Sequence, residues 1–323
     1  MLPVSGKDYP ETFQQFDEWF ATEAKCVEYL TRLRWPNGFQ CPKCDAVVAP
    51  WQTGKGLLMC AGCGHQASVR AGTIFHRSRL PLKTWFAAMW FVCASKSGVS
   101  AMTLQRSFGF GSYETAWVWM QKLRRAMVMP ARDLLGGVGE TVEIDQTFIG
   151  GRKKGGKSGP RYVNKSEVVI AVERKPGQLG RVRMRRIDST NKASELFDFI
   201  RDNVAHGTHI VTDGDTAYAA ITKKLQFRHS AHNLSVAGAP SAHTVLPAVH
   251  MVASLLKRWL AGTMHHGQTP THLDYYLDEY VFRFNRRSSK SRGLLWYRLL
   301  EQAIKTGPHP LSTLRQPHPV TGT

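Results

Sequence analysis

The segment that decides the fold of the N-terminal region begins with Cys41-Pro-Lys-Cys44 and ends with Cys60-Ala-Gly-Cys63. Two Cys-x-x-Cys pairs at this separation are typical of a zinc site with four thiolate ligands. Two disulfides are the alternative, but the N-terminal residues carry no secretory signal pattern, and two further cysteines lie in apolar surroundings. We therefore predict a zinc ribbon whose ligands are Cys41, Cys44, Cys60 and Cys63.

The composition is strongly basic. The chain has 43 Lys and Arg against 24 Asp and Glu, a formal net charge of +19 over 323 residues. This charge exceeds what solubility requires and predicts a polyanionic partner, with nucleic acid as the first candidate. The most apolar stretch, residues 85–94, has about half of the roughly 20 residues that a membrane-spanning helix needs, so we predict no membrane partner. Reduced thiols and zinc indicate a cytoplasmic, nucleoid-associated protein.

The first 130 residues have the periodicity of helices on either side of the cysteine pairs. Residues 13–34 predict one helix, and residues 51–59 predict two short strands around a Gly-Lys-Gly turn. A helix from Leu82 is followed by one capped at Ser100 and another capped at Ser112, which together predict a helix-turn-helix. The third helix would present basic side chains to a DNA major groove, although ordinary helix packing is the alternative. These basic side chains are Lys122, Arg124 and Arg125.

Beyond residue 136 the pattern changes to strands and helices, which predicts an α/β domain. Strands over residues 141–148, 167–173 and 181–187 follow one another and predict an antiparallel meander. A helix, a strand over residues 209–212, a second helix and a short strand come next and predict a parallel section of the same sheet. The remaining predicted elements are two helices over residues 247–260 and 272–284.

Two carboxylates occupy strand positions that suit a ligand site. Asp145 lies within the first apolar strand, and Asp213 follows the fourth, where open α/β sheets bind ligands. Oxygen ligands of this kind suit Mg²⁺ or Mn²⁺, which can promote phosphodiester cleavage. Basic residues after the first strand, including Arg152 and Lys153, would attract the phosphates. Either aspartate alone is more typical of a turn or a helix cap, and the basic segment alone is typical of a solvated hairpin.

Several segments together resemble the insertion-sequence transposases of the ISXO-like, zinc-ribbon group. They are Arg34-Trp-Pro-Asn-Gly-Phe-Gln-Cys-Pro-Lys-Cys44, Val142-Glu-Ile-Asp-Gln-Thr-Phe-Ile-Gly-Gly151, Val211-Thr-Asp213, Ser254-Leu-Leu-Lys-Arg258, Gly262-Thr-Met-His-His266 and Tyr280-Val-Phe-Arg-Phe-Asn-Arg-Arg287. The resemblance implies a ribonuclease-H-like catalytic domain with a DDE-type metal site that includes Asp145 and Asp213. The implied domains are an N-terminal helix and zinc ribbon over 1–78, a helix-turn-helix-like DNA-binding domain over 79–135, and a catalytic domain with C-terminal helices over 136–323.

The chain departs from the pattern of these transposases at the third acidic position. The residue four places before Ser254 is usually acidic in relatives, whereas here it is His250. A neutral imidazole can bind a metal or act as a general base, so an Asp-Asp-His site is chemically reasonable. Loss of activity in a decayed copy is the alternative. Lys257 and Arg258, on the same predicted helix, would bind phosphate.

The sequence therefore predicts a DNA transposase that binds terminal inverted repeats and target DNA and catalyses metal-dependent cleavage and strand transfer. The resemblance implies a homo-oligomer in the active complex, because two transposon ends are processed together. Two alternatives stay open. One is an inactive or domesticated DNA-binding protein, and the other is a zinc-ribbon nuclease that acts on other nucleic acids.

Overall fold

The computed structural model describes residues 2–54, 56–128, 132–150, 165–233, 241–264 and 269–316. The chain divides into two compact units, one formed by Met1–Val128 with Ser289–Arg315 and the other by Met129–Ser288 with Gln316–Thr323. This division differs from the predicted bounds 1–78, 79–135 and 136–323, because residues 289–315 group with the N-terminal unit. Within the described residues, none of the helices combines the length and apolarity needed to cross a membrane.

The first unit begins with two helices, α1 (Phe13–Trp19) and α2 (Glu23–Arg34). The prediction of one helix over residues 13–34 is therefore wrong. Thr22 has an extended backbone conformation, and its hydroxyl accepts a hydrogen bond from the Lys25 amide, so it begins a new helix instead of continuing the old one.

The predicted ribbon is a small antiparallel sheet of three strands, β1 (Trp51–Gln52), β2 (Leu58–Met59) and β3 (Gln66–Ala67), in the order β1-β2-β3. The first two strands confirm the prediction, whereas the third was not foreseen. Among the described residues, the buried core of this sheet consists of Phe39, Leu58 and Ala67 with two cysteines, and Trp35 and Val48 pack against it. A core this small needs a further source of stability.

Three helices follow, α3 (Leu82–Ala94), α4 (Ala101–Phe108) and α5 (Tyr113–Ala126). The hydroxyls of Ser100 and Ser112 accept amide hydrogen bonds at the start of α4 and α5, as predicted. One part of the prediction for α5 is wrong. The Arg124 side chain is only 2% exposed, because it lies on the face of α5 that packs inward, and so it is not available to a DNA duplex.

The second unit contains a mixed five-stranded sheet of β4 (Thr141–Ile149), β5 (Ser166–Lys175), β6 (Gln178–Ile187), β7 (His209–Asp213) and β8 (Arg228–His232), in the order β6-β5-β4-β7-β8. Its helices are α6 (Lys192–Asn203), α7 (Thr216–Lys224), α8 (Ala242–Val245), α9 (Pro247–Met264) and α10 (Leu273–Asn285). The β4–β5 and β5–β6 pairs are antiparallel, and the β4–β7 and β7–β8 pairs are parallel. This confirms the predicted meander and parallel section.

Helices cover both faces of this sheet. Alternation along β4 directs Val142 and Ile144 into a core formed with α6 and α7. The side chains between and beyond them, Glu143 and Asp145, therefore point to the opposite face, where α9 and α10 pack. The two acidic residues of β4 thus lie on the same side as α9.

Two further helices, α11 (Arg292–Lys305) and α12 (Leu311–Leu314), return the chain to the first unit. Trp296 of α11 is fully buried, and its indole N–H donates a hydrogen bond to the Phe86 carbonyl of α3 at 3.1 Å. The sequence analysis placed the last helix at residues 272–284 and missed both. The buried face of α11 explains why residues 289–315 belong to the first unit.

A buried carboxylate joins β5 to β6, and its loss is expected to destabilise the second unit. Glu173 is 1% exposed and accepts hydrogen bonds from the amides of Gly136 and Arg181 and from the Arg181 guanidinium. We expect Glu173→Ala to lower the free energy of unfolding by about 3 kcal/mol, because it leaves buried donors unpaired. Urea denaturation measures this change. Asp198→Ala is the control, since Asp198 forms a pair with Arg201 at the surface, where ion pairs contribute little to stability.

The same carboxylate gives the stability a pH dependence. Burial acts to raise the pKa of Glu173, but the hydrogen bonds from Arg181 and Gly136 outweigh it and hold the pKa below its usual value. A carboxyl with a depressed pKa in the folded state stabilises the fold above its unfolded pKa, and the contribution is lost as pH falls through the folded pKa. The difference between native protein and Glu173→Ala should therefore shrink in acid.

Candidate active site and zinc site

The four cysteines of the ribbon converge. Among the described residues, they are the group whose potential ligand atoms all lie within 4.8 Å of one another. The Sγ atoms of Cys41 and Cys63 are 3.6 Å apart, and those of Cys44 and Cys60 are 3.8 Å apart. A tetrahedral zinc site with Zn–S bonds of about 2.3 Å has sulfur atoms about 3.8 Å apart. The four thiols therefore fit a zinc ion, and they are too far apart for disulfides.

The two cysteine turns share one backbone design. The residue directly after each cysteine pair closes the turn with its backbone amide. The Asp45 amide donates to the Cys41 carbonyl and the Gly64 amide to the Cys60 carbonyl, each at 2.9 Å. Both residues have a positive φ, which costs little for Gly64 and is tolerated by aspartate at position 45. Burial disfavours the Cys41 thiolate, but the amides of Lys43 and Cys44 outweigh it and lower the pKa of Cys41 to about 7. The amides of the first turn thus favour the Cys41 thiolate, the form of cysteine that binds a metal.

In the second unit, the predicted aspartates lie on adjacent parallel strands. The paired residues of β4 and β7 end at Glu143 and Val211, so Asp145 and Asp213 each lie two residues beyond the last pair on neighbouring strands. Burial, with a further contribution from the negative charge of Asp213, raises the pKa of Asp145 to about 6. Lys192 and Lys257 oppose this shift. The negative charge of Asp213 therefore acts on Asp145.

His250 of α9 points toward the same position. Its Nε2 atom is 3.6 Å from Asp145 Oδ2, is buried, and has no hydrogen-bond partner among the described residues. The ring of His243 lies 4.9 Å from that of His250. Burial lowers the pKa of His250, and His243 and Lys257 lower it further, so the imidazole is neutral near pH 7. The structure thus brings His250 to Asp145, although the donor atoms of Asp145, Asp213 and His250 do not all lie within 4.8 Å of one another.

One residue that the sequence analysis missed joins β4 to α9. The Glu143 side chain is fully buried, and its Oε2 accepts a hydrogen bond from the Val249 amide in the first turn of α9 at 2.9 Å. Its other oxygen is 3.3 Å from Nε of Arg174. The signal in the sequence was a second acidic residue on the same face of a buried strand as Asp145. Glu143 therefore fixes the start of the helix that carries His250.

The remaining predicted residues have different settings. Lys257 and Arg258 of α9 are exposed. Lys122 and Arg125 of α5 are half-buried, and the Lys122 ammonium donates a 3.4 Å hydrogen bond to the Ile74 carbonyl. Arg152 and Lys153 lie outside the described residues, as does the pair of histidines at 265 and 266.

Comparisons with known proteins give the family of the chain. Residues 135–285 match the model of the ISXO2-like transposase domain, and residues 21–66 match the model of the transposase zinc-ribbon domain. Together the two matches cover more than half of the sequence. The chain belongs to the ISXO2-like transposase family. In this transposase, the matched ranges contain all four cysteines, both aspartates and His250.

Two individual proteins also resemble this transposase. An "Uncharacterized protein in transposable element ISH50" from Halobacterium salinarum is 23% identical over 285 residues, which cover 82% of this chain and 91% of that protein. The crystal structure of a pre-cleavage Mos1 transpososome is 9% identical and covers 68% of this chain and 76% of its own, with a TM-score of 0.25. A TM-score this low adds nothing to the description of the fold.

Proposed function

We propose that this chain binds terminal inverted repeats of a transposon and catalyses phosphodiester cleavage and strand transfer at a site formed by Asp145, Asp213 and His250. The observation that carries the proposal is the position of His250 Nε2, 3.6 Å from Asp145 Oδ2, beside two carboxylates on adjacent strands. The strand order β6-β5-β4-β7-β8, with helices on both faces, supports a ribonuclease-H-like domain.

The residues of this site fit a divalent cation. Asp145 and Asp213 supply hard oxygen ligands. Burial, with a smaller contribution from Asp213, raises the pKa of Asp145, and a cation between the two carboxylates would favour the ionised form. When bound, Mg²⁺ or Mn²⁺ would supply Lewis-acid catalysis and lower the pKa of a water molecule. His250, with a neutral imidazole, would complete the ligand set or accept a proton from the attacking nucleophile.

Positive side chains near the carboxylates would hold the DNA strand. Lys257 lies on the same helix as His250, and its charge acts on Asp145. With Arg258 it would bind phosphates that flank the cleaved bond. Lys192 is already paired with Asp215 at 2.8 Å and would keep the chain beyond Asp213 in place.

The first unit would recognise the repeats. The α4–α5 pair has the helix-turn-helix pattern, and the exposed Tyr113 together with Lys122 and Arg125 would contact duplex DNA. Arg124 takes no part, since it is buried. A zinc ion on the four cysteines would support the ribbon as a second DNA contact. The active complex would be a homo-oligomer acting at the nucleoid, because two ends must be joined to target DNA.

Cleavage of a labelled duplex that carries the repeats flanking the gene tests this proposal. We expect nicking at the repeat end with Mn²⁺ or Mg²⁺ and none with a chelator or with a scrambled repeat. Tight binding of the repeat without cleavage in either metal would support an inactive DNA-binding protein instead. Equal binding of random duplex, RNA and the repeat would favour a nuclease with another substrate.

Substitution of His250 tests whether the imidazole takes part. We expect His250→Ala to lower the cleavage rate about 10²-fold, a typical contribution of a positioned general base, with unchanged affinity for the repeat. His250→Glu should keep activity in Mg²⁺, because a carboxylate is a better ligand for this ion than imidazole is. Cleavage by His250→Glu with none by the native protein would instead identify a decayed site. Exposed His206, in the turn before β7 and so at the opposite end of that strand from Asp213, provides a control, since His206→Ala should leave the rate unchanged.

A further inference from the structure

A basic cavity of about 800 Å³ lies in the second unit, between the β5–β6 turn, the first turn of α9 and the end of α10. Its apolar wall includes Leu179, Pro247 and Met251. None of its lining residues is acidic, and four are cationic: Arg174, Lys175, Arg181 and Arg287. A cavity of this size suits a ligand larger than a single inorganic ion.

The end of α10 builds this cavity with the motif at residues 280–287. The Asn285 side chain both accepts from the Val182 amide, at 2.7 Å, and donates to the Val182 carbonyl, at 3.1 Å. The Arg287 guanidinium donates to the Gly180 carbonyl at 3.3 Å and lies 4.1 Å from the centre of the Phe284 ring. These contacts hold the β5–β6 turn against α10 and fix Arg287 in the wall.

The cavity retains positive charge that the protein does not neutralise. Arg174 pairs with Glu143, and Arg181 pairs with Glu173. Among the described residues, no carboxylate pairs with Lys175 or Arg287, and Lys175 is exposed. An anionic group in the cavity would therefore meet two uncompensated cations beside an apolar surface. A phosphodiester next to a sugar and base has this combination of properties.

We propose that this cavity binds a phosphodiester segment of the DNA other than the one at Asp145. The proposal rests on the function proposed above. The cavity is open, and Met251 in its wall is 54% exposed, so a continuous strand can enter and leave. A continuous strand fits this opening better than a free nucleotide, which needs a site that encloses it.

The salt dependence of duplex binding tests the cavity, with Lys175→Gln as the variant. We expect the slope of log K against log salt to fall by about 0.9 and the affinity to fall about five- to tenfold near 0.1 M salt, the loss of one phosphate contact. Lys223→Gln is the matched control, an exposed lysine of α7 on the opposite face of the sheet. It should leave both quantities unchanged.

Three outcomes would overturn this assignment. Equal slopes for native protein and Lys175→Gln would show that Lys175 makes no phosphate contact, and the proposed function would stand. Displacement of duplex from the native protein by a mononucleotide at micromolar concentration, abolished by Lys175→Gln, would assign the cavity to a free nucleotide. Failure of the native protein to bind any duplex would refute the proposed function and the cavity proposal together.

Glu143 connects the strand that carries Asp145 to the first turn of α9. Its carboxylate is fully buried yet faces the amide groups at the start of α9, and it is the side chain that joins this helix to β4 two residues from Asp145. We infer that Glu143 is a positioning residue, which sets the distance between Asp145 and His250 by fixing where α9 begins. The inference rests on the proposed metal site, not on its DNA contacts.

Two substitutions at Glu143 separate positioning from stability. Glu143→Gln keeps an oxygen that accepts the Val249 amide, whereas Glu143→Leu removes it. We expect Glu143→Leu to lower kcat for cleavage about tenfold or more with little change in KM, and Glu143→Gln to restore most of the rate. Mn²⁺ affinity, measured by electron paramagnetic resonance, should follow the same order.

Thermal unfolding of the two variants measures how much stability each has lost. If both variants lose the same stability but only Glu143→Leu loses kcat and Mn²⁺ affinity, the positioning role is supported. If Glu143→Leu retains native kcat and Mn²⁺ affinity, or if both variants lose activity in proportion to stability, the inference is wrong. A native protein without cleavage would contradict the proposed function, and the Mn²⁺ measurement would still decide the role of Glu143.

Discussion

Asp213→Asn is expected to lower metal-dependent cleavage by at least about 10³-fold while leaving the affinity for the repeat within about twofold. A bound cation contributes several kcal/mol to stabilising charge in the transition state, and each 1.36 kcal/mol corresponds to a factor of ten. Asparagine keeps the size of the side chain but removes the negative charge that would hold the cation. Single-turnover cleavage of the labelled repeat, with Mg²⁺ and Mn²⁺ in parallel, measures the change.

Asp215→Asn is the matched control for Asp213→Asn. Asp215 lies two residues away and has a structural role, since its carboxylate accepts the Ala217 amide at the start of α7 and binds Lys192. Asparagine is also a good helix cap, so this variant should retain cleavage within about tenfold and lose under about 1 kcal/mol of stability. Equal cleavage losses in both variants would contradict a direct role for Asp213.

Most helices and strands could be predicted from the sequence, because interactions between residues close together in the chain determine where they begin and which way their side chains face. Ser100 and Ser112 cap their helices with bonds to residues three positions later, a pattern visible in the sequence alone. The alternation in β4 likewise decides which side chains face α9. Asp145 and Asp213 were candidate metal ligands because of their strand positions, and the structure places β4 and β7 side by side.

Features that depend on distant contacts could not be predicted in this way. The burial of Trp296 against α3 joins residues more than two hundred positions apart, and no local periodicity reveals it. Arginine is usually a surface residue, and only the packing of α5 shows that Arg124 is buried. Glu143 alternates like any strand residue until α9, over one hundred positions later, supplies the amide that it accepts.

The position of His250 beside Asp145 depends both on a local sequence pattern and on contacts between distant parts of the chain. The position of His250, four residues before Ser254, predicted that it takes the place of the third acidic residue. A sequence cannot distinguish an imidazole directed into a site from one directed into solvent. The structure places His250 Nε2 near Asp145 and leaves it without a hydrogen bond among the described residues. A polar atom buried in this way requires a partner. A metal ion bound by the nitrogen, or a nucleophile whose proton it accepts, would be such a partner.

Removal of zinc is expected to unfold the ribbon and to leave the helices of the first unit folded. The apolar core of the ribbon is too small to offset the conformational entropy of its loops, whereas zinc binding to four thiolates contributes about 10–16 kcal/mol at neutral pH. The helices have their own core, with Trp85, Phe86 and Trp296 fully buried. Hydrogen exchange during chelation should therefore show loss of protection confined to residues 39–67.

Cys60→Ser should reproduce this result without a chelator, and Cys26→Ala is its control. Both cysteines are fully buried, but Cys26 lies in α2 outside the sulfur cluster. We expect Cys60→Ser to lose bound zinc, protection in the ribbon and affinity for the repeat, and Cys26→Ala to keep all three with a small loss of stability. If Cys60→Ser kept its zinc and its protection, the four-thiolate site would be wrong. If it lost zinc but bound the repeat normally, the ribbon would be structural and DNA recognition would belong to α4 and α5.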